Sequence, residues 1–392
     1  MKKTVWIDLS RLCWRGRTLT PSGIDRVEMA YARHFLDHSS FNTRFVARAG
    51  AMGARELPRA AMRAFLDTLE ATWRCPTNGN ILPKVGRLMA QSSRAPDPRD
   101  TVTIIPSHQN WHAEAWLKQR RGRGGRLVLF LHDVIPIHYP EYAREGGARR
   151  HHERITNALT TADAFIVNSA ETARALAGEA ELLSRSAPRC LVAPLGTEAV
   201  HIPQAPATFA RPYFVTVGTI EPRKNHMLLL LLWRQMVEMG VADIPALVVI
   251  GRRGWENEQV VDLLQRSRAL KDLVIERNDM GDAERARWIK GARALLMPSF
   301  AEGFGMPVNE ALSLGTPVIA SNLPVYGESA GDVPDYVDPL DGPSWRAAIL
   351  DYASPNSAAR ARQLGRLERW RAPCWNQHFE RVDNLLSELQ AG

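Results

Sequence analysis

Short apolar runs rich in Val, Ile and Leu alternate with stretches of helical periodicity along the whole chain. Continuous apolar runs of this length, bounded by turn residues, suit strands buried on both faces. In the first half the predicted strands are Thr4–Leu9, Arg44–Ala47, Val102–Pro106, Leu127–His132, Ala164–Asn168 and Leu191–Pro194. In the second half they are Tyr213–Val217, Leu247–Ile250, Leu273–Glu276, Ala294–Met297 and Pro317–Ala320. Strands alternating with helices predict parallel sheets joined by crossover helices, so the class is α/β. Each half holds enough strands for a doubly wound domain, and 392 residues suffice for two cores. The proline-rich, aperiodic Gln204–Pro212 predicts the linker. The organisation read from this pattern is 1–205, 206–372 and a closing amphipathic helix within 373–392.

An insertion at about 52–100 departs from a minimal domain. Within it Leu57–Thr72 has helical character, with Ala60, Ala64, Leu66 and Leu69 at helical spacing beside Arg55, Arg59 and Arg63. It reads either as a surface helix packed on its domain or as a membrane-surface or acceptor-binding element. Gln91–Arg99 reads as its polar tail.

Composition narrows the function classes. A hydrophobic fraction of 45% with 23% charged residues is that of a globular chain. A net charge of +8 admits nucleic acid, anionic lipid or a phosphorylated small molecule as partner. No zinc-finger spacing, basic heptad region or aromatic RNA-binding signature is present, so nucleic acid is not expected. The arginines Arg120, Arg121, Arg123 and Arg126 read as a solvated loop. Cys13, Cys75, Cys190 and Cys374 are far apart and read as buried thiols in a reducing compartment. The opening residues do not read as a signal peptide, and no run approaches a membrane span. The expected location is cytoplasmic, or peripheral on the inner face of the cytoplasmic membrane.

The stretch Phe300–Leu312 concentrates the candidate chemistry: Glu302 and Glu310 flank the turn Gly303-Phe304-Gly305-Met306-Pro307. A glycine turn feeding a helix start directs free N–H groups and the positive helix end at one spot, which suits phosphate. The spacing puts the two carboxylates roughly 12 Å apart if helical, about the span of a sugar–diphosphate–ribose. Glu221-Pro-Arg-Lys-Asn225 follows a strand that ends at Gly218, placing Arg223 and Lys224 where open α/β sheets bind ligands. Arginine grips a diphosphate bidentately and lysine adds a mobile charge. In the first half, Gly23 at a helix start permits close backbone approach to a phosphate or acceptor, with Asp25 or Arg26 as further candidates to face the acceptor. His132 closes an apolar strand, and Asp133 reads as orienting it or capping the next turn. His138, His151 and His152 fit no metal spacing. The loop Glu276–Gly281 is a candidate wall for a base, and Glu328 reads as a cap or a site residue. No Asp-x-Asp occurs, so no metal and no cofactor are expected, and protein cations would stand in for a diphosphate-bound metal.

The string Pro298–Pro307 followed by Gly315–Ser321, with Val217–Asn225, Val249–Trp255 and Glu328–Asp332, resembles the retaining GT-B glycosyltransferases of family 4, in the mannosyltransferase-like group. In the N-terminal half His132–Pro136 and the loop at Ser22-Gly23 carry the likeness. The resemblance implies a GT-B fold, two doubly wound Rossmann-like domains facing across a cleft. The first would bind the acceptor, the second the nucleotide-sugar, and the last helix would return to the first. It implies that Glu302 faces the donor sugar, Glu310 holds the ribose hydroxyls and His132 contacts the donor sugar. By the same resemblance Glu302 and His132 are the catalytic candidates. Arg223, Lys224, Glu310, Gly305, Phe304, Met306, Gly23 and Gly218 are the nucleotide-sugar-binding ones. Thr219 and Asp25 stand where relatives carry an arginine and a glycine.

The expected activity is that of a metal-independent retaining hexosyltransferase. It would move a sugar, first mannose from GDP-mannose, from a nucleoside-diphosphate donor to a glycan or lipid-diphosphate acceptor in envelope polysaccharide synthesis, with peripheral membrane contact as a further expectation. The alternatives are a GT-B nucleotide-sugar epimerase and a non-catalytic nucleotide-sugar or lipid-binding module.

Overall fold

The computed structural model describes residues 4–15, 20–74, 82–197 and 205–391. The readings that fall on Met1–Lys3, Cys75 and Gln204 lie outside the described residues. The chain divides into two compact units. One takes in Met1–His138, Glu145–Gly196 and Cys374–Gly392, the other Tyr139–Arg144 and Thr197–Pro373.

The first unit is built on eight strands: β1 (Thr4–Asp8), β2 (Asn42–Arg48), β3 (Ala54–Leu57), β4 (Ser93–Arg94), β5 (Val102–Ile105), β6 (Arg126–Leu131), β7 (Ala164–Val167) and β8 (Cys190–Val192). Their order is β4-β3-β2-β1-β5-β6-β7-β8. From β2 to β8 every pairing is parallel, while β3 runs antiparallel to both β2 and β4. The insertion therefore widens the sheet at one edge. Sequence patterning missed β3 because Arg55 and Glu56 interrupt its apolar content, and Glu56 pairs across the edge with Arg44 at 2.5 Å. β4 is only two exposed residues long.

Helix Arg59–Arg74 buries Met62, Phe65, Leu66, Leu69 and Trp73, a stripe at i, i+3, i+4, i+7 and i+11. Ala60 and Ala64, counted with that stripe from the sequence, are exposed instead. Because the apolar face is packed inside the unit, this helix is a surface helix and does not present that face to a membrane. Among the described residues no helix is long and apolar enough to cross one.

The closing helix, Trp375–Leu389, packs within the first unit. His378 Nε2 lies 2.9 Å from the Tyr31 hydroxyl, and Phe379 stacks on His34 with ring centroids 4.0 Å apart. Gly196 makes room for this helix: a Cβ there would lie 2.3 Å from the Trp375 nitrogen.

Two composition readings change. Arg120 is fully buried, with its guanidinium 4.8 Å over Trp116 and its carbonyl accepting from Thr103. It is the inner face of a short helix, not a solvated loop, whereas Arg121 pairs with Asp163 at 2.7 Å. Cys13 is buried, but Cys190 is half-buried and Cys374 exposed.

The second unit has six strands: β9 (Tyr213–Val217), β10 (Ala246–Ile250), β11 (Val274–Arg277), β12 (Leu295–Met297), β13 (Val318–Ser321) and β14 (Asp335–Val337). Their order, β11-β10-β9-β12-β13-β14, is the Rossmann arrangement 3-2-1-4-5-6, all parallel. Alternate residues feed two cores. Tyr213, Val215, Val217, Val248 and Ile250 lie in one, and Phe214, Leu247 and Val249 in the other. β14 was not foreseen because three residues beginning with an aspartate give no apolar run.

Candidate functional site

In an open α/β sheet the loops leaving neighbouring strands diverge where the strand order reverses, and ligands bind outside the carboxyl ends there. In the second unit that point lies between β9 and β12. The loop after β9 carries Arg223 and Lys224, and the loop after β12 carries Glu302, so parallel pairing of these strands assembles residues 79 and 78 positions apart.

Backbone geometry fixes both loops. Gly218 has φ 151°, and a Cβ there would stand 3.1 Å from Lys224 Cε. Pro222–Lys224 form one 3-10 turn ended by Asn225 in the left-handed region, and helix His226–Glu238 follows. Gly305 sits at φ 83° as the N-cap of helix Met306–Ser313, and a Cβ there would meet Tyr326 Cε1 at 2.3 Å. Both conformation and space therefore demand glycine. Phe304 is buried in this turn, while Met306 is half-buried at the helix start.

The three charged groups form one network. Lys224 Nζ lies 2.5 Å from Glu302 Oε1, and Arg223 Nη1 lies 2.8 Å from Glu302 Oε2. Arg223 also donates to the Ala301 carbonyl at 3.0 Å and pairs through Nε with Glu221 at 2.7 Å. Ser299 Oγ donates to Glu302 at 2.8 Å. Burial opposes ionisation of Glu302, whose side chain is 6% exposed, yet Lys224 and Arg223 outweigh it and hold the carboxyl at about 2. His226, buried beside the two cations, is pushed down to about 3 by burial and by their charge, so it is neutral. Sequence reasoning missed Ser299 and His226. Ser299 lies within the string Pro298–Pro307 and His226 directly follows Val217–Asn225, and only the fold reveals that each borders the charged network.

Glu310 belongs to a separate pairing. It extends from helix Met306–Ser313 to Arg285 of helix Asp282–Gly291, 3.3 Å away. Glu302 lies in the loop before the helix, so the two glutamates do not share a helical face. Glu276, at the candidate base wall, is paired with Arg253 at 2.7 Å, and Glu328 lies inside helix Pro324–Ala330.

In the first unit the strand order reverses between β1 and β5. Gly23 begins helix Gly23–Arg33, capped by Ser22, whose side chain accepts from the Asp25 N–H while Asp25 accepts from the Ser22 N–H. Asp25 is buried and pairs with Arg11 at 2.9 Å, and Arg26 is buried too. Glu28, one turn on, is fully buried, and burial raises its carboxyl to about 8 against the opposing charge of Arg11.

His132 stands at the end of β6, 5% exposed, with Nε2 3.0 Å from the Pro106 carbonyl. Its N–H donates to His108 Nε2 at 2.9 Å, and its carbonyl accepts from Asn168. Burial lowers its imidazole to about 4, leaving it neutral at physiological pH. His108 lies 5.2 Å from His132 and 5.1 Å from His151, ring to ring, a pairing the sequence did not suggest. Asp133 caps the next turn, accepting from the Ile135 N–H, rather than orienting His132. His151 is buried, with Nε2 3.1 Å from the Asp133 carbonyl. Among the described residues no group of His, Cys, Asp or Glu is arranged to hold a metal ion.

Two Rossmann-type units, the second with cations and a carboxylate at its switch point, define the GT-B fold class. HepE of Anabaena in complex with UDP-glucose superposes with a TM-score of 0.65 at 14% identity, over 99% of this chain and 100% of that one. The family model "Glycosyl transferases group 1" matches residues 202–333. O-antigen chain mannosyltransferase B of Escherichia coli is 28% identical over 258 residues, 62% of this chain and 66% of that relative. Serotype-specific mannosyltransferase WbdA of Escherichia coli is 28% identical over 249 residues, 58% of this chain and 30% of that relative. The chain thus spans less than two thirds of the length of these relatives. The likeness to HepE shows the GT-B fold, and in sequence the chain is similar to mannosyltransferases.

Proposed function

We propose that this protein is a metal-independent retaining hexosyltransferase that takes a sugar from a nucleoside diphosphate and passes it to a glycan or lipid-diphosphate acceptor during polysaccharide synthesis. The observation that carries the reading is the meeting of Arg223, Lys224 and Glu302 at the switch point of the second sheet. Arg223 and Lys224 supply charge for a departing diphosphate, and being held in place beforehand they need little reorganisation as that charge develops. Gly218 and Gly305 let backbone approach the phosphates, with the N–H groups of the helix starting at Met306 beside them. Glu302 takes the donor sugar, Glu310 the ribose hydroxyls, and Gly23 a phosphate or acceptor group. His132, neutral, serves as a hydrogen-bonding partner of the sugar. The acceptor hydroxyl attacks from the face the diphosphate leaves, and a phosphate oxygen takes its proton.

Mannose from GDP-mannose is the proposed donor. The two mannosyltransferase relatives favour it at 28% identity, whereas the likeness to HepE with UDP-glucose rests on 14%. Calorimetric titration with GDP, UDP and ADP, with and without a chelator, tests the reading. Chelator-insensitive binding that selects GDP is expected. Failure of all three to bind would remove the roles given to Arg223 and Lys224.

A further inference from the structure

Tyr139–Arg144 lies in sequence between helices Ile135–His138 and Gly147–Thr161, yet it packs as part of the second unit. Three contacts hold it there. The Trp255 indole donates to the Tyr142 carbonyl at 3.0 Å, the Arg144 guanidinium lies 4.8 Å over the Trp255 ring, and the turn Pro140–Tyr142 abuts the turn Pro222–Lys224. The Tyr142 ring stacks on Phe300 with centroids 5.6 Å apart at 10°, and Tyr139 stacks on Tyr142 at 5.7 Å and 19°. Phe300 is bound into the site, since its N–H donates to the Arg223 carbonyl at 2.8 Å. The result is a column of three near-parallel rings rooted in the cation loop. Its outermost ring, Tyr139, is 41% exposed.

Resting on the transferase reading above, we infer that Tyr139 is a specificity-determining residue that stacks against a sugar ring of the glycan acceptor. A pyranose carries one face of C–H bonds with partial positive charge, which matches the negative face of an aromatic ring, while its hydroxyls stay in water. Position selects the acceptor over the donor sugar. The donor sugar belongs beside Glu302, whereas Tyr139 stands two ring spacings, 5.6 Å and 5.7 Å, outward from Phe300. Stacking in the column fixes the ring in advance, so little side-chain freedom is lost on binding. Arg144, exposed on the same segment, offers a donor for glycan hydroxyls.

The test titrates the full chain, saturated with the nucleoside diphosphate it binds best, with neutral manno-, gluco- and galacto-trisaccharides, observed by saturation-transfer NMR. One trisaccharide should bind, Tyr139→Ala should weaken it about tenfold, and Tyr139→Trp should bind at least as tightly as the parent. Nucleoside diphosphate affinity should stay within about twofold in both variants, which shows that the site is folded. Unchanged trisaccharide affinity in Tyr139→Ala, or no trisaccharide bound by the parent while nucleotide is bound, overturns the inference. Loss of nucleotide binding by the parent itself overturns the transferase reading instead.

Discussion

Glu302 is the most informative residue to perturb, because without ligand it neutralises the cations proposed to meet the diphosphate. Holding its carboxyl at about 2 against an ordinary 4.5 amounts to roughly 3 kcal/mol of preference for the ionised form. Glu302→Gln keeps the shape and removes that charge, leaving Lys224 and Arg223 without the carboxylate that lies 2.5 Å and 2.8 Å away. The free protein should lose up to about 3 kcal/mol, since partly buried cations lose their counter-charge. A diphosphate restores that charge. If about half of the loss is regained on binding, the nucleoside diphosphate binds roughly tenfold tighter to the variant than to the parent. Sugar transfer should nevertheless collapse, because the proposed contact to the sugar is gone. Calorimetry of GDP with both proteins near neutral pH, alongside initial transfer rates, reads both effects. A tenfold weaker GDP affinity in the variant, or no change, refutes the reasoning, since either means that the carboxylate does not compete with phosphate for these cations. Acid supplies a second reading. A depressed carboxyl contributes stability above about pH 4.5 that disappears as pH falls through about 2. The parent should therefore lose stability relative to the Gln variant across that window.

Lys224→Ala removes the nearer cation and should weaken nucleoside diphosphate binding by about tenfold to a hundredfold, measured by the same titration. Gly305→Ala forces a side chain into φ 83° and against Tyr326 at 2.3 Å, and should cost about 2–4 kcal/mol in denaturant unfolding together with transfer activity. Glu28→Gln should act in the opposite direction, with a clear pH signature. Its carboxyl is raised to about 8 from 4.5, so the parent's first unit loses stability as pH rises from about 4.5 through 8. The Gln variant should therefore melt higher than the parent at pH 8 and show no such advantage at pH 4.

What the sequence disclosed follows what its signals depend on. The central strands β9 and β10 are unbroken apolar runs and were legible almost to the residue. β4 and β14 are edge strands and β3 is the strand next to an edge, and all three owe their place to a neighbour rather than to their own apolar content. The motifs around Arg223 and Glu302 were visible because glycine and proline mark them locally. Their mutual ion pairing was not, since it depends on β9 lying beside β12. The same limit hid the turn of Asp25 inward to Arg11, the edge-on packing of His108 against His132, and the burial of Arg120. In each case nothing local says which long-range partner receives the polar side chain.

The chain passes between its units four times: around Tyr139–Arg144, after Gly196 and before Cys374. At the last two passages the strands of chain are joined, the Thr197 N–H donating to the Pro373 carbonyl at 2.8 Å. Neither unit is therefore a segment that can be cut out and moved. A fragment ending near residue 205 lacks His378 and Phe379, which close over Tyr31 and His34. A fragment beginning there lacks Tyr142, which stacks on Phe300, and Tyr139 beyond it. Exchanging donor preference between such enzymes by swapping the second unit would thus need two matched pieces, 139–144 and 197–373, so new specificities are reached more readily by substitutions within the loops than by recombining domains.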